Sequence, residues 1–178
     1  MQKKITIIGA NGQIGRELSN LLKGENTTLL NHNELNIEDF KAVSDCLNDI
    51  KPEVVINTAA YHKVDECEKN PEKAFLINSD SVKNLADICH KNDFCLVHFS
   101  SDYVFDGKKK EPYNEEDSPN PINIYGNSKL SGEEYVRLAK KYLLIRTSYV
   151  FGKGGSSQKR TNLVETLLNA AKNGKIKA

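Results

Sequence analysis

Tyr125 and Lys129 stand four residues apart, a spacing that puts a phenol and an ammonium on one face of any helix that carries them. A phenol near its ordinary pKa of ~10 is a poor proton donor or acceptor at neutral pH unless something stabilises its phenolate. Lys129 supplies that positive charge and can also hydrogen-bond the ribose hydroxyls of a bound nucleotide. Upstream, Ser101 follows an apolar run, at the edge where parallel sheets place ligands. Its hydroxyl can hold a carbonyl oxygen while Tyr125 protonates it. A Tyr and Lys pair alone is common on exposed helix faces. Joined to a serine-ended strand and a glycine turn upstream, it points to carbonyl reduction by hydride from a bound nicotinamide.

That turn is Gly9-Ala10-Asn11-Gly12-Gln13-Ile14-Gly15, directly after the apolar run at 5–8. Gly9 suits the tight turn, Gly12 lets a pyrophosphate approach the backbone, and Gly15 allows the helix to pack closely on the sheet. Free N–H groups at the helix start then face the phosphates. Its place after the first strand of an alternating pattern is what raises this glycine triple above a structural coincidence. The second strand runs into Asn31-His32-Asn33, with Glu34 as the first carboxylate. An acid at the strand end would favour NADH. Its absence leans toward NADPH, with His32 or a nearby lysine to meet a 2′-phosphate, and leaves NADH use open.

The elements that must position these groups are legible as apolar runs at 5–8, 27–30, 53–59, 94–100 and 142–150, separated by longer periodic segments. Val- and Ile-rich runs, polar only at their ends, suit strands covered on both faces. Helices are expected over 14–23, with Ile14, Leu18, Leu21 and Leu22 inward, and over 37–50, with Phe40, Val43, Leu47 and Ile50 inward and Asn36 as N-cap. A third over 71–91 opens on Pro71 and turns Phe75, Val82, Leu85, Ala86 and Cys89 inward, and a last one covers 161–173. Strand alternating with helix predicts a Rossmann-like, doubly wound parallel sheet in three α/β/α layers. Residues 107–123 read as a long surface loop of the kind that lies over active sites.

A chain of 178 residues can bury one core without disulfide or metal, and its 25 basic and 24 acidic side chains leave a net charge of +1. That balance gives no reason to expect nucleic acid or a membrane surface as partner. The densest basic cluster, Lys108-Lys109-Lys110, is followed by Glu111, Glu115, Glu116 and Asp117, which cancel its field. Cys46, Cys67, Cys89 and Cys95 form no CxxC pair and behave as small hydrophobes, as expected in a reducing, cytoplasmic setting. The run at 5–8 is too short for a signal-peptide core or a membrane span.

The segments GANGQIG at 9–15, VVINTAAYHKVDECE at 54–68, FSSDYVFDG at 99–107, PINIYGNSKLSGE at 121–133 and IRTSYVFG at 145–152 together resemble the extended short-chain dehydrogenase/reductases, and within them the dTDP-4-dehydrorhamnose reductase family. The resemblance implies that Gly12, Gln13 and Ile14 meet the pyrophosphate, with Gly9, Asn11 and Gly15 in the same turn. It implies that Asn36 and Ile37 border the adenine, where the family more often has Asp, and that Ala60, Tyr61 and His62 line the cofactor cleft. Ser101, Tyr125 and Lys129 take the catalytic places, with Ser101 where threonine is common. Ser101 and Asp102 lie beside the sugar, and Tyr149 replaces a tryptophan against it. Asn78 is implied to steady backbone near the third and fourth strands.

The family's substrate is a dTDP-linked 4-keto-6-deoxy sugar, reduced at C4 with NADPH or NADH. Its members run well past 178 residues, so one NAD(P)-binding domain over 1–178 is expected, lacking most of a C-terminal substrate-binding part. In several members that part supplies dimer contacts and acidic residues for Mg2+ between subunits; no metal ligands are expected in this chain. Two other readings keep the same tyrosine and lysine: a nucleotide-sugar epimerase or dehydratase, and a non-catalytic regulatory subunit.

Overall fold

Residues 2–152 and 163–173 are described by a computed structural model of the chain. Five strands, β1 (Ile5–Ile8), β2 (Thr27–Leu30), β3 (Val54–Asn57), β4 (Cys95–Ser101) and β5 (Tyr142–Thr147), form one sheet in the order β2-β1-β3-β4-β5, every pair parallel. Helices α1 (Gln13–Leu21), α2 (Phe40–Ile50), α3 (Val64–Lys69), α4 (Pro71–Phe75), α5 (Ser81–Asn92), α6 (Ile124–Val136) and α7 (Leu163–Lys172) connect or follow them. Right-handed crossovers put α1 on one face of the sheet and α2, α5 and α6, packed in that order, on the other. The expected three-layer, doubly wound architecture is what forms.

The core lies between the sheet and that second helical layer. Ile8, Val55 and Leu96 from the strands meet Val43 and Leu47 of α2, Val82, Leu85 and Cys89 of α5, and Val136 of α6. Alternation of strand order around β1 and β3 leaves the carboxyl ends of the central strands open, which is where parallel sheets bind ligands.

Several local expectations are corrected. Asn36 is not the cap of α2: its Oδ1 accepts from the Glu38 amide in a local turn, and Asp39 caps the helix by accepting from the Ala42 amide at 2.9 Å. The helix therefore begins at Phe40, whose ring is exposed rather than inward, and Leu21, at the end of α1, is 79% exposed. The single helix expected over 71–91 is interrupted by a π-helical segment, Leu76–Asp80, across which Ser81 Oγ, at the start of α5, donates to the Leu76 carbonyl. The short α3 was not expected. Of the last helix, α7 is described over Leu163–Lys172; residues 153–162 and 174–178, with the expected helix start at 161–162, lie outside the described residues.

Candidate active site

Ser101 closes β4 as the cap of a short 3-10 turn, Asp102–Val104, accepting from the Tyr103 amide at 3.2 Å. Tyr125 and Lys129 lie on α6, which is capped by Asn123, whose Oδ1 accepts from the Gly126 amide at 2.7 Å. Two features draw this helix against β4. A Cβ on Gly126 would sit 2.2 Å from the Tyr103 carbonyl oxygen, and Glu68 of α3 accepts from the Ile124 amide at 2.7 Å. Close approach of α6 to the 3-10 turn is thus built on a missing side chain, and it sets Tyr125 beside Ser101 and edge-on to Tyr103 at 5.4 Å.

Lys129 is wholly buried. Its Nζ donates to the Phe99 carbonyl at 2.7 Å and lies 3.4 Å from His98 Nε2. Burial pulls its pKa down to about 8, with Glu133, one turn further along α6, opposing. Burial pushes the Tyr125 phenol up to about 12, against a lowering hydrogen bond with Ser101. A charged group next to Tyr125 is needed to bring it toward neutrality, and Lys129 is placed one turn away on the same helix. Asp102 is exposed and accepts from Ser101 Oγ at 3.0 Å and from Ser148 Oγ at 2.7 Å, so it ties the end of β4 to the segment after β5.

The glycine turn stands at the other end of the same opening. Gly9 has φ +82° and presses on Ala59 and Thr58, while Thr58 Oγ1 donates to the Ile8 and Gly9 carbonyls. A Cβ on Gly15 would lie 2.3 Å from the Gly9 carbonyl oxygen, so this glycine lets α1 close on the turn itself rather than on the sheet face. Gly12 caps α1 without a side-chain hydrogen bond, and the first turn holds no acidic residue. The helix-start N–H groups are therefore left for an anionic ligand, and they fit a dinucleotide pyrophosphate.

One cleft of about 600 Å³ joins the two ends. Gly9, Asn11, Gly12, Gln13, Ile14, Asn36, Ile37, Ala60, Tyr61 and His62 line it, together with Ser101, Asp102, Tyr125, Lys129 and the 67%-exposed Tyr149. Gly15 and Asn78, also singled out, do not line it. His32 lines the cleft too, as do Lys63, paired with Glu66 at 2.9 Å, and Lys73, which lies over the Tyr61 ring. The loop over 107–123 borders a neighbouring cavity of about 520 Å³ with Asp102, Tyr103 and Arg146; Phe105 and Tyr113 stack there at 4.2 Å.

Asn78 anchors the Tyr61 wall. Its Oδ1 accepts from the Tyr61 amide and its Nδ2 donates to the Tyr61 carbonyl, both at 2.9 Å, and to Ser128 Oγ at 3.0 Å. Asn57 and His98 are among the buried polar residues that sequence reasoning passed over, and their one signal was a histidine inside the apolar run at 94–100. Glu133 was missed as well: fully buried, it accepts from Arg146 Nε at 2.9 Å and Nη2 at 2.6 Å. Among the described residues, no group of three or more His, Cys, Asp or Glu side chains is placed to hold a metal ion.

The family model described as "RmlD substrate binding domain" matches residues 3–176. The chain is 42% identical over 171 residues to the spore coat polysaccharide biosynthesis protein SpsK of Bacillus subtilis, covering 94% of this chain and 59% of that protein. It is 38% identical to the dTDP-4-dehydrorhamnose reductase of Aggregatibacter actinomycetemcomitans, covering 97% of this chain and 58% of the relative. The crystal structure of the dTDP-4-dehydrorhamnose reductase of Bacillus anthracis in complex with NADP superposes with a TM-score of 0.90 at 37% identity, over 97% of this chain and 61% of that one. The chain thus spans somewhat under two thirds of the length of each. By its fold, its glycine turn and the placement of Ser101, Tyr125 and Lys129, as well as by these matches, the chain belongs to the RmlD substrate-binding-domain family.

Proposed function

We propose that this chain forms the cofactor-binding and catalytic part of an NAD(P)H-dependent reductase that converts dTDP-4-dehydro-L-rhamnose to dTDP-L-rhamnose. The observation that carries the reading is the single cleft with an uncapped glycine turn at one end and Ser101, Tyr125 and Lys129 at the other. When bound, a reduced nicotinamide supplies the hydride that adds to the sugar C4 and leaves as the oxidised cofactor. Tyr125 gives its phenol proton to the ketone oxygen as that oxygen gains charge. Ser101 holds the same oxygen from the end of β4, and the Lys129 ammonium stabilises the resulting phenolate. Gly12, Gln13 and Ile14 present the helix start to the pyrophosphate, and Asn36 and Ile37 border the adenine. Tyr149 offers the sugar a flat face.

His32, on the segment that follows β2 and at the cleft wall, favours NADPH as a hydrogen-bond donor toward a 2′-phosphate. The relative crystallised with NADP supports the same choice. The homodimer and the cytoplasmic setting belong to this proposal too; among the described residues, no helix is long and apolar enough to cross a membrane. The test is an assay of the full-length protein with dTDP-4-dehydro-L-rhamnose. One reduced cofactor consumed per sugar reduced supports the reading. Turnover of the nucleotide sugar with no net cofactor consumption would replace it by an epimerase or dehydratase.

A further inference from the structure

Beneath the cleft, a polar file runs through the sheet where a parallel sheet is otherwise apolar. Asn57 of β3 and His98 of β4 are register partners, and both side chains are fully buried. The Ala59 amide donates to Asn57 Oδ1 at 3.1 Å. A backbone amide can only donate, so this contact fixes which end of the Asn57 side chain is oxygen. The other end, Nδ2, then faces His98 Nδ1 at 3.1 Å. Nδ2 carries only protons, so Nδ1 must accept, and a neutral imidazole that accepts at Nδ1 carries its proton on Nε2. Nε2 lies 3.4 Å from Lys129 Nζ, which itself lies 2.7 Å from the Phe99 carbonyl, a group that can only accept.

We infer that Asn57 and His98 are positioning residues for Lys129: a one-way hydrogen-bond file from the Ala59 amide to the Phe99 carbonyl presents His98 Nε2–H to the lysine nitrogen and favours its neutral amine. A neutral amine satisfies both neighbours, accepting from Nε2–H with its lone pair and donating to Phe99. An ammonium has no lone pair, and sets protons against protons at the His98 contact. Burial works in the same direction, because among the described residues no carboxylate pairs directly with Lys129.

The other groups packed about α6 do not undo this. Glu133 favours the ammonium, but Arg146 of β5 holds both its oxygens and Arg137 lies 3.6 Å away. From α3, Cys67 and Glu68 act at the Tyr125 end of the helix, as do Asp102 and Tyr103 of the 3-10 turn. Lys73 of α4 lies over the Tyr61 ring and Lys83 of α5 over Tyr135. The π-helical segment contributes the uncharged Asn78 and Ser79. Lys129 therefore sits between Glu133, which draws a proton to it, and His98, which resists one. Burial, opposed by Glu133, accounts for the downward shift of its pKa, and the His98 contact adds to burial in direction. The lysine is poised to gain or lose a proton near neutral pH, where the proposed reduction needs it charged.

Nitrogen NMR of the full-length protein, with His98 assigned by its loss in His98→Gln, reads the tautomer without substrate. The expected result is a neutral ring, protonated at Nε2 and bare at Nδ1, that stays neutral below the ordinary histidine pKa of ~6.5. In Asn57→Asp the carboxylate accepts from Nδ1–H, the tautomer reverses, and the Lys129 side-chain titration moves up by about one pH unit. His98→Gln, whose amide oxygen can turn to the lysine, moves it the same way and serves if Asn57→Asp does not fold. A ring protonated at Nδ1 or on both nitrogens in the unaltered protein, or a lysine titration unmoved in the folded variants, overturns the inference. The kinetic meaning rests on the proposed reduction, but these signals do not. A protein that fails to reduce the sugar yet shows the Nε2–H ring would count against the reaction alone.

Discussion

Gly132 on α6 lies so close to the Asn78 carbonyl that a Cβ there would stand 2.2 Å from the oxygen. The π-helical segment that carries Asn78 and the helix that carries Tyr125 and Lys129 are thereby in backbone contact, and the Tyr61 wall of the cleft is fixed relative to those two side chains.

Gly132→Ala should therefore destabilise the fold, although alanine is the better helix former by about 1 kcal/mol. Neither the Asn78 backbone nor α6 can yield without moving the other, and overpacking of this kind costs about 1–3 kcal/mol. A lower urea midpoint with an unchanged denaturant slope is the expected result.

Asn78→Ala removes the side chain that satisfies both the amide and the carbonyl of Tyr61 and leaves Ser128 with one partner fewer. The loss should be about 2 kcal/mol of stability, since unmet buried groups cost about 1–3 kcal/mol each and water reaches part of this wall. Cofactor affinity should fall with it, because Tyr61 lines the cleft. Calorimetric unfolding and a cofactor titration on the same sample check the two effects together.

Glu133→Gln leaves Arg146 facing a neutral amide where it had a carboxylate with both oxygens engaged. Loss of one partner from a buried pair costs about 3 kcal/mol or more. The same change removes the charge that raises the Lys129 pKa, so the lysine should titrate at a lower pH than in the unaltered protein. Side-chain NMR of Lys129 separates this from mere loosening.

Reduction should weaken on the alkaline side. In the proposed reduction the active form of Lys129 is the ammonium, present below its folded pKa and lost as pH rises through about 8. The free phenol, pushed up to about 12, stays protonated across that window, so the fall belongs to Lys129 and not to Tyr125. A plot of kcat/KM against pH, which reports groups in the free protein, should be flat near neutrality and decline above about 8.

Strand positions and the parallel sheet were legible because five short apolar runs alternating with longer helix-periodic segments have few other solutions. The cleft was legible too, since a glycine turn after β1 and a Tyr and Lys pair on a helix after β4 must meet at the carboxyl edge of such a sheet. The helix boundaries were less so. Asn36 and Asp39 are both capping residues, and periodicity does not say which one ends the loop; the choice falls to Asp39, with Asn36 turned to the Glu38 amide. The π-helical break at Leu76–Asp80 left no mark in the apolar spacing, and its close neighbour across the fold, Gly132 against the Asn78 carbonyl, is 54 residues away in the chain. Asn57 and His98 were hidden for a similar reason: their pairing depends on strand register, which no single run reveals.

The most direct test of the account is Tyr125→Phe in the full-length protein. The phenol oxygen is removed while the ring, its edge contact with Tyr103 and the glycine turn are kept. Turnover of dTDP-4-dehydro-L-rhamnose should fall about 10²- to 10⁴-fold, the range of a lost general acid, with NADPH affinity unchanged. Near-normal turnover in this variant would contradict the role given to Tyr125 and the reduction mechanism with it.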